Sequence, residues 1–144
     1  MNNNSIIKSL MYVQTVDNLP HNDIDSLIKV IKRDLKPVRY ALAKHDKDVD
    51  DNGNPVKDHI HLALELNDRC RLNSVAKILN DEPEYIFPCN SFDDILPYLI
   101  HSTDNTSHKY YYSPYGVIAN FNYPNALSRG INKKKRNRTN LRNR

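Results

Sequence analysis

The chain has 144 residues, 39% hydrophobic and 26% charged, with 21 Lys or Arg against 17 Asp or Glu. That length suits one compact domain with a modest core, and the apolar runs are too short for a secretory leader or a membrane span. The reading is a cytoplasmic protein in which Cys70 and Cys89, far apart and without metal-type spacing, behave as small hydrophobes rather than as a disulfide.

In chain order the elements predict an α+β fold. IIKSLMYVQTV (6–16) is strand-like, and HNDIDSLIKVIKRDL then sets Ile24, Leu27, Ile28 and Ile31 at helical spacing. VRYALAKHD (38–46) and HIHLALEL (59–66) read as two strands of a long antiparallel hairpin, joined through DDNGNP with its Asn-Gly turn chemistry. RLNSVAKILN places Leu72, Val75, Ala76 and Leu79 on one helical face, and EYIFPC is a short fourth strand. SFDDILPYLIH returns to helix, with Ser91 and Asp94 spaced as a capping box. The order β-α-β-β-α-β-α suggests a single antiparallel sheet with helices on one side, a ferredoxin-like arrangement. After His101 the chain turns polar and tyrosine-rich, with one more apolar piece at VIANF.

Charge is unevenly spread. RGINKKKRNRTNLRNR (129–144) carries eight of the bases and no acid, which leaves 13 bases against 17 acids in the rest. The expected organisation is therefore a folded domain over 1–128 and a disordered basic arm over 129–144, with Lys133, Lys134, Lys135, Arg136 and Arg138 as candidate contacts to a polyanion such as DNA.

Residues two apart on a strand point the same way, so His59 and His61 project together while Ile60 and Leu62 face the other side. The hairpin brings His45 alongside as a third imidazole, with Asp48 or Asp46 as an anionic oxygen. Such nitrogen-rich donors suit Mn²⁺, Zn²⁺ or Co²⁺ better than Mg²⁺. In SFDDILPYLIH the apolar stripe is Phe92, Ile95, Leu96 and Leu99, so Asp94, Tyr98 and His101 fall on another face. Pro97 kinks this helix or restarts it.

The motifs HDKD, DHIHLAL, PYLIH and HKYYYSPY, in that order over residues 6–115, resemble the nuclease and origin-binding domain of rolling-circle plasmid replication initiators, within the HUH endonuclease superfamily. The resemblance implies a divalent metal, Mn²⁺ first, on His45, Asp48, His59 and His61, and a nucleophilic Tyr98 that opens a Tyr-Leu-Thr-His element. Ile100 stands here where threonine is usual. The implied reaction is site-specific nicking and joining of single-stranded DNA through a 5′-phosphotyrosine. The implied partners are plasmid origin DNA, single-stranded at the nick and duplex at any repeats, with host replication proteins beside it and no membrane. Two other readings stay open: a non-catalytic DNA-binding module, which would bind without metal, and a phosphoesterase using water as nucleophile, which would not need Tyr98.

Overall fold

The computed structural model describes residues 5–103 and 108–130. Strands β1 (Ile6–Thr15), β2 (Arg39–His45), β3 (His59–Arg71), β4 (Ile86–Cys89) and β5 (Ile118–Ala119) form one sheet in the order β4-β1-β3-β2-β5. Every neighbouring pair is antiparallel. Between them lie helices α1 (Ile24–Val30), α2 (Leu72–Leu79), α3 (Phe92–Ile95) and a final helix α4 over 123–130. The sequence order β-α-β-β-α-β-α is therefore present, and β5 and α4 follow it. Among the described residues no helix is long and apolar enough to cross a membrane.

The local chemistry explains most boundaries. Asp23 caps α1, its carboxylate accepting from the Ser26 N–H at 2.8 Å. The Asn80 backbone adopts the left-handed conformation that closes α2. Ser91 sits at the N-cap of α3, yet its side chain makes no capping bond, so the expected box with Asp94 is not formed. Pro97 restarts the helix: α3 stops at Ile95 and a 3₁₀ turn runs over Leu96–Ile100 with the proline in its first two positions. There its missing N–H breaks no intrahelical bond.

Helices cover both faces of the sheet, not one. Leu10, Tyr12, Leu42, Ile60, Leu62 and Leu64 pack with Leu27 of α1, with Ile31 in the turn that continues it, and with Val75 and Leu79 of α2. The alternate residues Ala41, Ala43 and Ala63 pack instead with Phe92, Ile95, Leu96, Leu99, Tyr123 and Leu127. This second face was hidden in the sequence because its strand residues are alanines, too small to signal burial. The Tyr123 hydroxyl donates to the Leu96 carbonyl at 2.5 Å. Arg39 ties the far edge together, pairing with Glu65 and Asp93 at 3.0 Å each and lying over the Phe92 ring at 4.5 Å.

Candidate metal centre

Strand register builds the site. On the alanine-bearing face of the β2–β3 pair, Arg39 lies opposite Glu65, Ala41 opposite Ala63, Ala43 opposite His61, and His45 opposite His59. Alternation thus delivers three imidazoles to one end of that face, where α3 and its 3₁₀ extension stop. One donor atom from each of His45, His59 and His61 lies within 4.8 Å of the others. A second group, His45, Asp48 and His101, meets the same limit.

Hydrogen bonds fix which ring nitrogens keep a lone pair. His45 is fully buried, and its Nε2 is 2.7 Å from the Leu99 carbonyl. A carbonyl only accepts, so Nε2 carries the proton and Nδ1 does not. His59 is set likewise, its Nδ1 donating to the Lys57 carbonyl at 2.9 Å. The freed atoms, His45 Nδ1 and His59 Nε2, each stand 3.3 Å from Asp48 Oδ2. His45 Nδ1 and His61 Nδ1 are buried and have no hydrogen-bond partner among the described residues. Two lone pairs and a carboxylate oxygen facing one point repel one another unless a cation sits between them. The residues present therefore fit a divalent ion.

Burial keeps the His45 and His61 rings in the ligating form. Desolvation, aided by His45, His59, His101 and Lys109, lowers the His61 pKa to about 2. Desolvation also lowers that of His45, against the opposing pull of the Leu99 carbonyl and Asp48. Metal ligation requires neutral imidazoles, so both shifts prepare the site.

Tyr98 lies in the 3₁₀ turn. The carbonyl of its neighbour Leu99 accepts the hydrogen bond from His45 Nε2, and Tyr98 itself is 41% exposed. His101 does not stay on the Tyr98 face as helical spacing predicts. Its backbone is left-handed at φ 61°, it is buried, and its Nδ1 donates to the Tyr110 carbonyl at 2.8 Å. Sequence reasoning missed His101 as a member of the cluster, and it missed Tyr112, whose ring stacks on His45 and whose hydroxyl donates to Asp48 Oδ1 at 2.6 Å. Burial, reinforced by the hydrogen bond to Asp48, raises the Tyr112 phenol above its ordinary range. Asp48, not Asp46, supplies the carboxylate facing the histidines. Lys133, Lys134, Lys135, Arg136 and Arg138 lie outside the described residues, and the start of the expected arm, at residues 129 and 130, belongs to α4.

A search of curated proteins finds no match to the chain. A family model described as the plasmid replication protein origin binding domain matches residues 6–124, a span that holds every strand and the whole histidine cluster. The folded unit is matched almost throughout, and the chain belongs to the family of plasmid replication protein origin binding domains.

Proposed function

We propose that the chain initiates rolling-circle replication by nicking and rejoining one strand of plasmid origin DNA, with Tyr98 as nucleophile. Family membership supplies the coarser statement, a replication role and origin DNA as partner. The observation that supports the finer one is the cation-seeking cluster of His45, Asp48, His59 and His61, joined through the His45–Leu99 hydrogen bond to the turn that contains Tyr98.

His45, Asp48, His59 and His61 would hold the ion; the three imidazoles favour Mn²⁺, Co²⁺ or Zn²⁺ over Mg²⁺, and Mn²⁺ is placed first by the family resemblance alone. When bound, it supplies positive charge that polarises the scissile phosphate and offsets the charge growing in the transition state. The Tyr98 oxygen attacks phosphorus as its phenolic proton leaves. The new tyrosyl–phosphate bond replaces the bond to the 3′-oxygen, which departs and takes up a proton. A 5′-phosphotyrosine keeps the energy of the phosphodiester, so the 3′-OH can prime synthesis and the strand can later be resealed. A phenol has an ordinary pKa of about 10, so it needs neighbouring positive charge to act at neutral pH. Residues 1–128 are assigned to this chemistry. The basic arm, including Lys133, Lys134, Lys135, Arg136 and Arg138, is assigned phosphate contacts that add affinity without reading sequence.

Incubation with single-stranded oligonucleotides from the source replicon and Mn²⁺ should yield a protein–DNA adduct that survives a denaturing gel. Tyr98→Phe should fold, bind metal and DNA, and form none. Mass spectrometry should place the nucleotide on the peptide that holds Tyr98. Label on the peptide spanning Tyr110 to Tyr115, or a normal adduct from Tyr98→Phe, overturns the nucleophile. Binding that ignores metal, with no adduct at all, turns the reading toward a non-catalytic module.

A further inference from the structure

Asp48 is the weakest-anchored member of the cluster. His45, His59 and His61 stand on paired strands, whereas Asp48 lies in the loop beyond β2, where its own carbonyl accepts from the Val56 N–H at 3.0 Å. A loop carboxylate free to rotate about its side-chain bonds makes a poor metal ligand, because each bound geometry must first be selected from several.

Tyr112 removes that freedom. Its hydroxyl accepts the Lys47 N–H at 3.0 Å and donates to Asp48 Oδ1 at 2.6 Å. The first bond uses the oxygen as acceptor, so its single proton is left for the carboxylate. With Oδ1 held, Oδ2 is the atom that stands 3.3 Å from both His45 Nδ1 and His59 Nε2. The ring is itself fixed, stacked on His45 with centroids 4.4 Å apart and planes 7° from parallel, and the Tyr112 N–H donates to the Ile100 carbonyl at 3.1 Å. Exposure separates it from its neighbours: 9% for Tyr112, against 48%, 57% and 85% for Tyr110, Tyr111 and Tyr115. Of this tyrosine-rich segment, Tyr112 is the member built into the site.

We propose that Tyr112 is a positioning residue that orients the Asp48 carboxylate for metal binding, its hydroxyl engaging Oδ1 so that Oδ2 is presented to the ion. This rests on the metal-centre reading above and deepens it. It assigns Tyr112 no contact with DNA or with the reacting phosphate.

The test is Mn²⁺ titration calorimetry on the full chain beside thermal unfolding without metal, for the wild type, Tyr112→Phe and Tyr110→Phe. Phenylalanine at 112 keeps the stack on His45 and loses only the hydroxyl. Mn²⁺ should bind about 10- to 100-fold more weakly to Tyr112→Phe, the usual consequence of losing an outer-shell partner. Its metal-free melting should stay close to that of the wild type, and Tyr110→Phe should bind Mn²⁺ normally. Unchanged affinity in Tyr112→Phe overturns the proposal. So does an equal loss in Tyr110→Phe, or a Tyr112→Phe chain that no longer folds, since the hydroxyl would then be structural. A wild type that binds no Mn²⁺ removes the metal centre and this proposal together. A normal adduct from Tyr98→Phe removes only the nucleophile and leaves the Tyr112 result standing.

Discussion

The two faces of the β2–β3 pair are built from the same residues' neighbours and serve opposite ends. On one face Tyr40 lies opposite Leu64 and Leu42 opposite Leu62, large side chains buried under α1 and α2. On the other the sequence steps from the Arg39–Glu65 ion pair through Ala41 and Ala63 to His61, His45 and His59. The first face buries area, which stabilises the fold in proportion to the apolar surface removed from water. The second is thin in the middle, and that thinness lets α3 and its 3₁₀ turn pack close enough for the Leu99 carbonyl to reach His45. One face secures the fold and the other leaves a ring nitrogen of His45 and one of His61 without a hydrogen-bond partner among the described residues.

The largest expected contrast comes from adjacent residues on opposite faces. His61→Ala removes a proposed ligand and should abolish cleavage and Mn²⁺ binding, a loss beyond the roughly 100-fold ceiling for an outer-shell partner. Metal-free stability should change little, because the variant also removes a buried ring nitrogen without a partner. Leu62→Ala should do the reverse, costing about 2–5 kcal/mol of stability while the surviving folded fraction binds Mn²⁺ normally. Chemical denaturation paired with calorimetry reads both. If Leu62→Ala weakened Mn²⁺ binding as much as His61→Ala, the two faces would not be separable.

The same contrast explains what the sequence could say. His59, Ile60, His61 and Leu62 alternate within one strand, so their division between faces follows from a period of two. His45 and Asp48 came with the hairpin, closed by a turn over residues 50–53 in which Gly53 takes the positive φ. The apolar stripe of Phe92, Ile95, Leu96 and Leu99 was legible because burial follows helical spacing there. The covered second face was not, since Ala41, Ala43 and Ala63 carry too little side chain to mark it. Nor were His101 and Tyr112. A left-handed turn at His101 breaks the helical spacing, and Tyr112 reaches Asp48 across 64 positions through a tertiary fold that no local pattern encodes. β5, only Ile118–Ala119, is too short to show alternation.

Thickening the thin face gives a smaller effect with a distinctive signature. Ala63 is fully buried among Phe92, Leu96 and Leu99. Ala63→Leu should cost about 1–3 kcal/mol through overpacking. It should also push the 3₁₀ turn outward, lengthening the His45–Leu99 contact and weakening Mn²⁺ binding. Matched destabilisation by Leu62→Ala should leave affinity intact. Equal Mn²⁺ affinity in the two variants would show that the 3₁₀ turn does not hold His45 in place.

The smallest effect is a slope. Burial depresses the His61 pKa from its ordinary 6.5 to about 2 and depresses His45 in the same direction. Between those limits the unfolded chain binds protons that the folded chain refuses, so the stability linked to these rings is complete above pH 6.5 and is lost as pH falls. Each refused proton contributes a slope of about 1.4 kcal/mol per pH unit. From pH 6.5 to about 5 most carboxylates remain ionised, so the histidines should dominate the loss. Urea unfolding of metal-free protein across that interval should show stability declining with acid, and His61→Ala should flatten the decline by close to one proton's slope, leaving the part due to His45. Mn²⁺ should steepen the wild-type curve, because ligation demands neutral rings and acid releases the ion. An identical slope in the wild type and His61→Ala, without metal, would mean that the His61 ring takes up its proton in the folded protein as readily as in water.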